Sequence, residues 1–144
     1  GLLRSLRGIE CLAALATLSL ADCRRLRALD DLQNPRLRHL EIDTCTGLKR
    51  LEPLLRAPNL TTLQLVDCGA LDSIACLAKL EHLQDVRLTG STVITDGDLQ
   101  PIVGVDKTFI ALRPHYKPAE FVARKEAENQ AAAERNRRRI VEGR

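Results

Sequence analysis

Apolar residues recur along the chain in a pattern that repeats at a fixed interval. A twelve-residue pattern, L-x-x-L-x-L-x-x-C-x-x-L with one isoleucine replacement, begins at Leu15, Leu37 and Leu60, so successive copies are 22 and 23 residues apart. A fourth copy begins at Leu83, another 23 residues on, and has Ser91 in place of the cysteine. Self-similarity at such an interval identifies one structural unit that is used several times.

Two weaker copies flank these four. Residues 107–115 keep the frame, with Ile110 and Leu112 as the paired apolar positions and Lys107 in place of the leading leucine. Between residues 3 and 12, apolar residues spaced by three match the back half of a unit whose front half is absent. We therefore expect the chain to begin in mid-unit and an upstream part to precede it.

Each unit combines two local spacings. In x-L-x-L-x the apolar residues are two apart, so both side chains point to one face of a strand. In the second half the spacing is three, as at Leu26, Leu29 and Leu32. That spacing suits a 3-10 turn, because residues i and i+3 eclipse there. The sequence predicts short parallel strands joined by 3-10 or irregular segments.

The repeated pattern closely resembles L-x-x-L-x-L-x-x-N/C-x-L, the motif of the leucine-rich-repeat family. The resemblance covers roughly residues 1 to 115. The interval of 22 to 23 residues is similar to that of the short-repeat class, which includes the internalins and a protein-phosphatase regulator. The resemblance implies an α/β repeat fold over residues 1–116: a right-handed solenoid with short parallel strands on its concave face, 3-10 or irregular convex backs, and a C-terminal helix.

The repeat pattern changes after the fourth copy. Residues 95–102 place capping residues ahead of an apolar run, which predicts a short helix instead of a 3-10 back. The D-G-D-L-x-P and H-Y-x-P elements within residues 96–120 resemble the terminal repeat of bacterial leucine-rich-repeat proteins. The resemblance implies that residues 95–116 cap the solenoid and that the chain is the C-terminal part of such a protein.

A charged, alanine-rich tail occupies residues 117–144. Pro118 followed by Glu120 is a favourable helix start, and we expect Phe121 and Val122 to dock the first turn over the end of the solenoid. Four cations, which form a basic cluster and a possible contact of the tail, lie near its end: Arg135, Arg137, Arg138 and Arg139. A solvated helix is the simpler interpretation of this tail, and contact with nucleic acid or an acidic partner is the alternative.

Charge and aromatic content narrow the classes of partner. Residues 1–116 carry 14 Lys or Arg and 14 Asp or Glu, so the net charge of +3 lies in the tail. The three aromatic residues all follow residue 108, which leaves no platform on which bases could stack along the repeats. Nucleic acid is therefore an unfavoured partner. No stretch reaches the 18 to 20 apolar residues needed to cross a bilayer, so we expect no membrane association.

The cysteine positions predict a reduced, buried column. Cys23, Cys45 and Cys68 occupy the N/C position of the motif, where the side chain turns inward, and Ser91 takes that position in the fourth copy. Reduced cysteines favour a cytoplasmic location. A thiolate metal site along this column is an alternative, but the chain has no C-x-x-C pair. A calcium loop in residues 96–98 lacks the downstream glutamate of an EF-hand. We therefore expect no metal and no cofactor.

Function is expected on the outward side chains of the strands, because these are free of packing yet held on a rigid scaffold. The candidate partner-binding residues are polar and mixed in charge: Thr17, Ser19, His39, Glu41, Asp43, Thr62, Gln64, Asp67, Asp85 and Arg87. Such a face suits a protein or peptide partner. His39 could act as a general base oriented by Glu41, but no trio of nucleophile, base and orienting group accompanies it. We predict no enzymatic activity.

These observations favour a protein–protein interaction module. In the first hypothesis it is the C-terminal ligand-recognition part of a larger protein, such as the sensing repeats of an immune-type receptor whose upstream domain is an NTPase or effector. In the second it belongs to a free-standing repeat adaptor or inhibitor. A third, less favoured hypothesis is a nucleic-acid-associated module that acts through its basic tail.

Overall fold

The apolar repeats form strands that lie side by side. The computed structural model describes residues 2–143. Seven strands form among these residues: β1 (Thr17–Ala21), β2 (His39–Asp43), β3 (Thr62–Val66), β4 (Ala70–Leu71), β5 (Asp85–Thr89), β6 (Val93–Ile94) and β7 (Lys107–Ile110). Five of them make one parallel sheet in the order β1-β2-β3-β5-β7, and β4 and β6 form a separate parallel pair. The fold is α/β, with an open parallel sheet and a C-terminal helix, as predicted.

The register of the sheet follows the interval of the sequence pattern. Thr17 pairs with His39, which in turn pairs with Thr62, so each strand meets the residue that lies 22 or 23 positions further on. Within each strand the side chains alternate. Leu40 and Leu63, the second residues of β2 and β3, are buried, while the side chains on either side of them face outward.

The connections between the strands contain short 3-10 turns. Three lie between strands among the described residues, at Glu52–Arg56, Ala75–Lys79 and Gln100–Ile102, and a fourth, Ile9–Cys11, precedes β1. The leucines spaced by three point into the core, where Leu26, Leu29 and Leu32 are completely buried. The core therefore lies between the inward face of the sheet and the row of turns.

The chain leaves each strand through a left-handed corner. The residue that follows β1, β2, β3 and β5 has a positive φ: Asp22, Thr44, Asp67 and Gly90. At three of these corners the backbone N–H donates to a carbonyl of the next strand, as in the 2.9 Å bond from Thr44 N to Val66 O. A side chain at position 90 would collide with the Asp67 carboxylate, so glycine is required there.

The last strand of the sheet, β7, lies two residues earlier in the chain than the sequence pattern predicts. Thr108 pairs with Val86, and Ile110 pairs with Leu88. The predicted frame placed Ile110 opposite Val86 and Leu112 opposite Leu88. A shift of two residues keeps the same side chains on the buried face, so the pattern alone did not distinguish the two frames. Thr108 is buried in a position where the other strands have an apolar residue.

The short helix predicted within residues 95–102 is not formed, and that prediction was wrong. A 3-10 turn over Gln100–Ile102 takes its place, closed by the bond from Ile102 N to Leu99 O. The N–H of Leu99 donates to Lys117 O at 2.8 Å, so the start of this turn is bonded to a distant segment of the chain and not to a preceding helical turn.

A helix, α1 (Ala119–Val141), ends the described chain and docks only by its first turns. Phe121 is buried and Val122 packs against the core, as predicted. Lys125 is also buried, and its Nζ donates to Thr108 O of β7 at 3.0 Å and to Glu128 Oε2 at 2.8 Å. Every described residue after Lys125 is exposed. None of the helices within residues 2–143 has the length and apolar character that a bilayer span requires.

Candidate functional site

The outward side chains of the five-stranded sheet form regular rows. The pairing places five residues in a middle row across the strands: Ser19, Glu41, Gln64, Arg87 and Phe109. A second row runs on one side of it: Thr17, His39, Thr62, Asp85 and Lys107. A third row runs on the other side: Ala21, Asp43, Val66 and Thr89. Neighbouring strands are about 4.8 Å apart, so each row spans about 20 Å. Nine of the ten predicted residues lie on this surface, which we call the strand face.

One half of the strand face is a shallow depression that has apolar and polar lining residues. Its volume is about 100 Å³, and its floor includes Leu18 and Leu40. Six of the predicted residues line it: Thr17, Ser19, His39, Glu41, Thr62 and Gln64. The sheet has thus brought together side chains that are up to 47 positions apart in the chain. A hollow of this size and openness suits the side chains of a partner better than an enclosed small molecule.

The other half of the strand face carries an arginine held above an aromatic ring. The guanidinium carbon of Arg87 lies 5.1 Å from the centre of the Phe109 ring, and its Nε donates to Asp85 Oδ1 at 3.3 Å. These two contacts orient the guanidinium while its side chain stays 43% exposed. The two terminal NH₂ groups can therefore bind a carboxylate in a bidentate arrangement.

Phe109 is a candidate residue that sequence reasoning missed. The fifth copy of the pattern is degraded, and outward positions were predicted for the first four strands only. Phe109 is 58% exposed, whereas Tyr116 and Phe121 are buried. The signal lay in the alternation of Phe109 with Thr108 and Ile110 in a chain with few aromatic residues. An exposed aromatic paired with an arginine is typical of the residues that dominate binding energy in protein interfaces.

The three acidic candidates Glu41, Asp43 and Asp67 do not lie together in the structure. Glu41 and Asp43 lie on the strand face, and Asp43 Oδ1 accepts a 2.7 Å hydrogen bond from the Thr44 hydroxyl. Asp67 instead forms the left-handed corner after β3, where its Oδ1 accepts the N–H of Ser91 at 2.9 Å. Asp67 therefore supports the turn between two units and is the one predicted residue outside the strand face.

His39 and Glu41 lie on the same side of β2, but no hydrogen bond joins their side chains. A carboxylate that orients a catalytic histidine is hydrogen-bonded to its ring. The arrangement of these two side chains therefore offers binding groups and gives no support to the general-base alternative.

The basic cluster of the tail lies on the exposed part of α1. Arg135, Arg137, Arg138 and Arg139 are all exposed and follow the docked turns of the helix by ten residues or more. Glu134 precedes them and Glu142 follows. Arg137 and Arg138 line a hollow of about 270 Å³ that Glu134 and Glu142 also line, so carboxylates lie among the accessible arginines.

The column predicted for the cysteines is present, with one substitution. Cys45 Sγ donates to Leu20 O at 3.8 Å, and Cys68 Sγ donates to Ile42 O at 3.2 Å, so each thiol bonds a carbonyl of the preceding strand. In the fourth unit Thr92 makes the equivalent bond, from its Oγ1 to Leu65 O at 3.2 Å. Ser91 was predicted for this position and is exposed. The corner at Gly90 and Ser91 has one residue more than the earlier corners, which moves Thr92 into the column.

Burial keeps these thiols protonated. It raises the pKa of Cys45 to about 11 and also raises the pKa of Cys68. Metal ligation requires a thiolate, so the column is better suited to hydrogen bonding. Asp96 and Asp98 are also engaged locally, because their Oδ1 atoms accept the N–H groups of Asp98 and Gln100, each at 3.0 Å. Within residues 2–143 no three His, Cys, Asp or Glu side chains are grouped to hold a metal ion.

Replacing Thr92 by valine should lower the free energy of unfolding by about 1 to 3 kcal/mol, because two buried backbone groups lose their partner. Thr92 Oγ1 accepts the N–H of Cys68 at 3.0 Å and donates to Leu65 O. Urea denaturation followed by circular dichroism measures the loss. Ser91→Ala is the matched control and should change stability by less than about 0.5 kcal/mol. A larger loss for Ser91→Ala than for Thr92→Val would contradict this assignment of the column.

Comparison with known proteins places the chain in no established group. No protein-family model matches it, and no curated protein matches it at a significant level.

Proposed function

We propose that the protein is a short-repeat leucine-rich-repeat protein, a right-handed solenoid whose strand face is concave and binds a protein or peptide. The sequence motif supports the family, since four copies follow one another at intervals of 22 or 23 residues between residues 15 and 94. The parallel pairing at intervals of 22 and 23 residues is what such a solenoid requires. The proposed cytoplasmic location rests on the cysteines, since all five are free thiols.

The observation that carries the proposed binding function is the arginine and aromatic pair on the strand face. Arg87 and Phe109 are exposed together, whereas the other aromatic rings are used for packing. About two strand spacings away, roughly 10 Å, Glu41 presents a carboxylate in the same row. The face thus has a cationic, aromatic end and an acidic end. We propose that it binds a peptide segment with an acidic or apolar group toward β5 and β7 and a basic group toward β2.

This activity is binding without catalysis. The recognition part of a larger receptor, for example one of immune type, and a free-standing adaptor would use the strand face in the same way. Of these two roles we propose the receptor role. In that role the strand face holds the partner or ligand, and the signal passes to another domain.

The proposal is tested by selecting peptides from a random library displayed on phage against the intact chain. We expect the wild type to enrich peptides that combine an acidic or apolar residue with a basic residue. Phe109→Ala should weaken the selected peptides about tenfold or more, as removal of an interface anchor does. The double variant Glu41→Lys with Arg87→Glu should select peptides in which the order of charges is reversed.

The matched control is Lys79→Glu, a charge reversal at an exposed residue of the 3-10 turn Ala75–Lys79, away from the strand face. It should leave the affinities of the selected peptides within about twofold. If no peptide is enriched, or if the enriched peptides bind the face variants and wild type equally, the strand face is not the binding surface.

A further inference from the structure

A second charged surface lies beside the strand face, and we propose that it binds a small polyphosphate. A cavity of about 410 Å³ is lined by Arg4, Arg25 and Arg27. A neighbouring cavity of about 280 Å³ shares Arg27 and adds Lys49 and Arg50. We call these five side chains the basic side. It is separate from the tail arginines and shares no residue with the strand face.

The repeat stacks these cations on one another. Arg27 and Lys49 are equivalent residues, because each follows the buried leucine at the same place in successive units. The bond from Asp72 N to Lys49 O, 2.9 Å, shows that this column continues in register into the third unit. Arg4 follows Leu3 in the corresponding position of the first, partial unit. The backbones of Arg27 and Lys49 are therefore about one strand spacing, 4.8 Å, apart, and Arg4 lines the same cavity as Arg27.

The protein does not neutralise this column with ion pairs. The ion pairs formed within residues 2–143 join Arg24 to Asp22, Arg87 to Asp85 and Lys125 to Glu128, and none includes the basic side. Lys49 Nζ donates to Ala70 O at 3.2 Å, a neutral acceptor. Asp30 contributes the one carboxylate that lines the second cavity. Like charges held close together repel one another, and a bound anion would offset that repulsion.

The positive charge of the whole repeat region is concentrated in the same part of the chain as the basic side. Residues 1–56 carry 10 Lys or Arg and 7 Asp or Glu, whereas residues 57–116 carry 4 and 7. The neutral total of the repeats therefore conceals a basic N-terminal half and an acidic C-terminal half. The excess of cations coincides with the two cavities of the basic side.

The length of the basic side indicates the size of the ligand. The column runs from Arg4 through Arg27 to Lys49, a length of about 10 Å along the backbones. The next equivalent residue is Asp72, so the charge becomes negative there. Guanidinium groups bind phosphate oxygens in bidentate pairs. A track this short suits two or three linked phosphates and gives a nucleic acid few phosphate contacts. Phe109, the exposed aromatic on which a base could stack, belongs to the strand face.

Inorganic tripolyphosphate is the probe, titrated into the intact chain by calorimetry and followed in parallel by thermal denaturation. We expect saturable binding and a rise in the melting temperature. Arg27 lines both cavities, so Arg27→Gln should weaken binding at least tenfold and remove the thermal stabilisation by the probe. Without the probe this variant should melt at the same temperature as wild type or higher, because a repulsive charge has been removed.

Two controls separate the basic side from general electrostatic attraction. Arg38→Gln makes the same chemical change at an exposed arginine outside both cavities and should bind tripolyphosphate within about twofold of wild type. Replacement of all four tail arginines by glutamine should have equally little effect. Loss of binding in the tail variant, equal weakening by Arg27→Gln and Arg38→Gln, or equal affinity for sulfate at matched ionic strength would each overturn the proposal. Tighter, Arg27-dependent binding of a DNA oligonucleotide would also overturn the choice of a small polyphosphate.

Discussion

Replacing Phe121 by alanine should lower the free energy of unfolding by about 3 to 5 kcal/mol, the usual cost of removing a buried phenylalanine. Phe121 is 3% exposed and belongs to the hydrophobic core. The guanidinium carbon of Arg124 and the Nζ of Lys125 lie 5.2 and 5.7 Å from the centre of its ring. The same Lys125 bonds the backbone of β7, so the ring supports the contact between helix and sheet.

The matched control for Phe121→Ala lies on the same helix. Ile140 is 77% exposed, and Ile140→Ala should change stability by less than about 0.5 kcal/mol. Urea denaturation followed by circular dichroism gives both values. Equal effects of the two substitutions would mean that the first turns of α1 do not close the end of the sheet.

Replacing Leu63 by alanine should lower the free energy of unfolding by about 2 to 5 kcal/mol, because it leaves a cavity beneath a strand that has a neighbouring strand on each side. Leu63 is the second residue of β3 and is completely buried. Leu18 occupies the equivalent position in β1 at the edge of the sheet and is only half-buried. The two residues have the same side chain and the same place in the repeat, so they differ only in what surrounds them.

Leu18→Ala is therefore the control for Leu63→Ala, and its cost should be no more than about half as large, since a half-buried side chain has less apolar area to lose. Denaturation midpoints of the two variants under identical conditions provide the comparison. A Leu18→Ala loss that equals the Leu63→Ala loss would contradict the description of β1 as an edge strand with a partly exposed apolar face.

If the proposed functions hold, the two binding surfaces use the repeat in different ways. The strand face presents side chains that alternate with the core residues, so a substitution there leaves packing intact. The basic side presents residues next to the buried leucines of the connections, where Arg27 and Lys49 are stacked by the register. Variants on the two surfaces should therefore affect peptide and polyphosphate binding independently, as separated sites do.

The residues alone predicted the repeat interval, the positions of β1, β2, β3 and β5, and the polar character of the strand face. Side chains of a strand alternate between two faces whatever surrounds it, and the repeated copies place equivalent positions next to one another. That is why Glu41, Gln64 and Arg87 were expected in one row and lie there. The cysteine column was predictable for the same reason, except in the unit where one inserted residue exchanges Ser91 for Thr92.

The remaining features depend on contacts between residues that are distant in the chain. The frame of β7 was ambiguous because a shift of two residues preserves the inward face, and pairing with β5 selected it. The contact of Arg87 with Phe109 followed from that pairing. The same holds for the cavities of the basic side, where side chains from separate units converge. Local periodicity specifies which face a side chain takes, whereas the register between units specifies which side chain it meets.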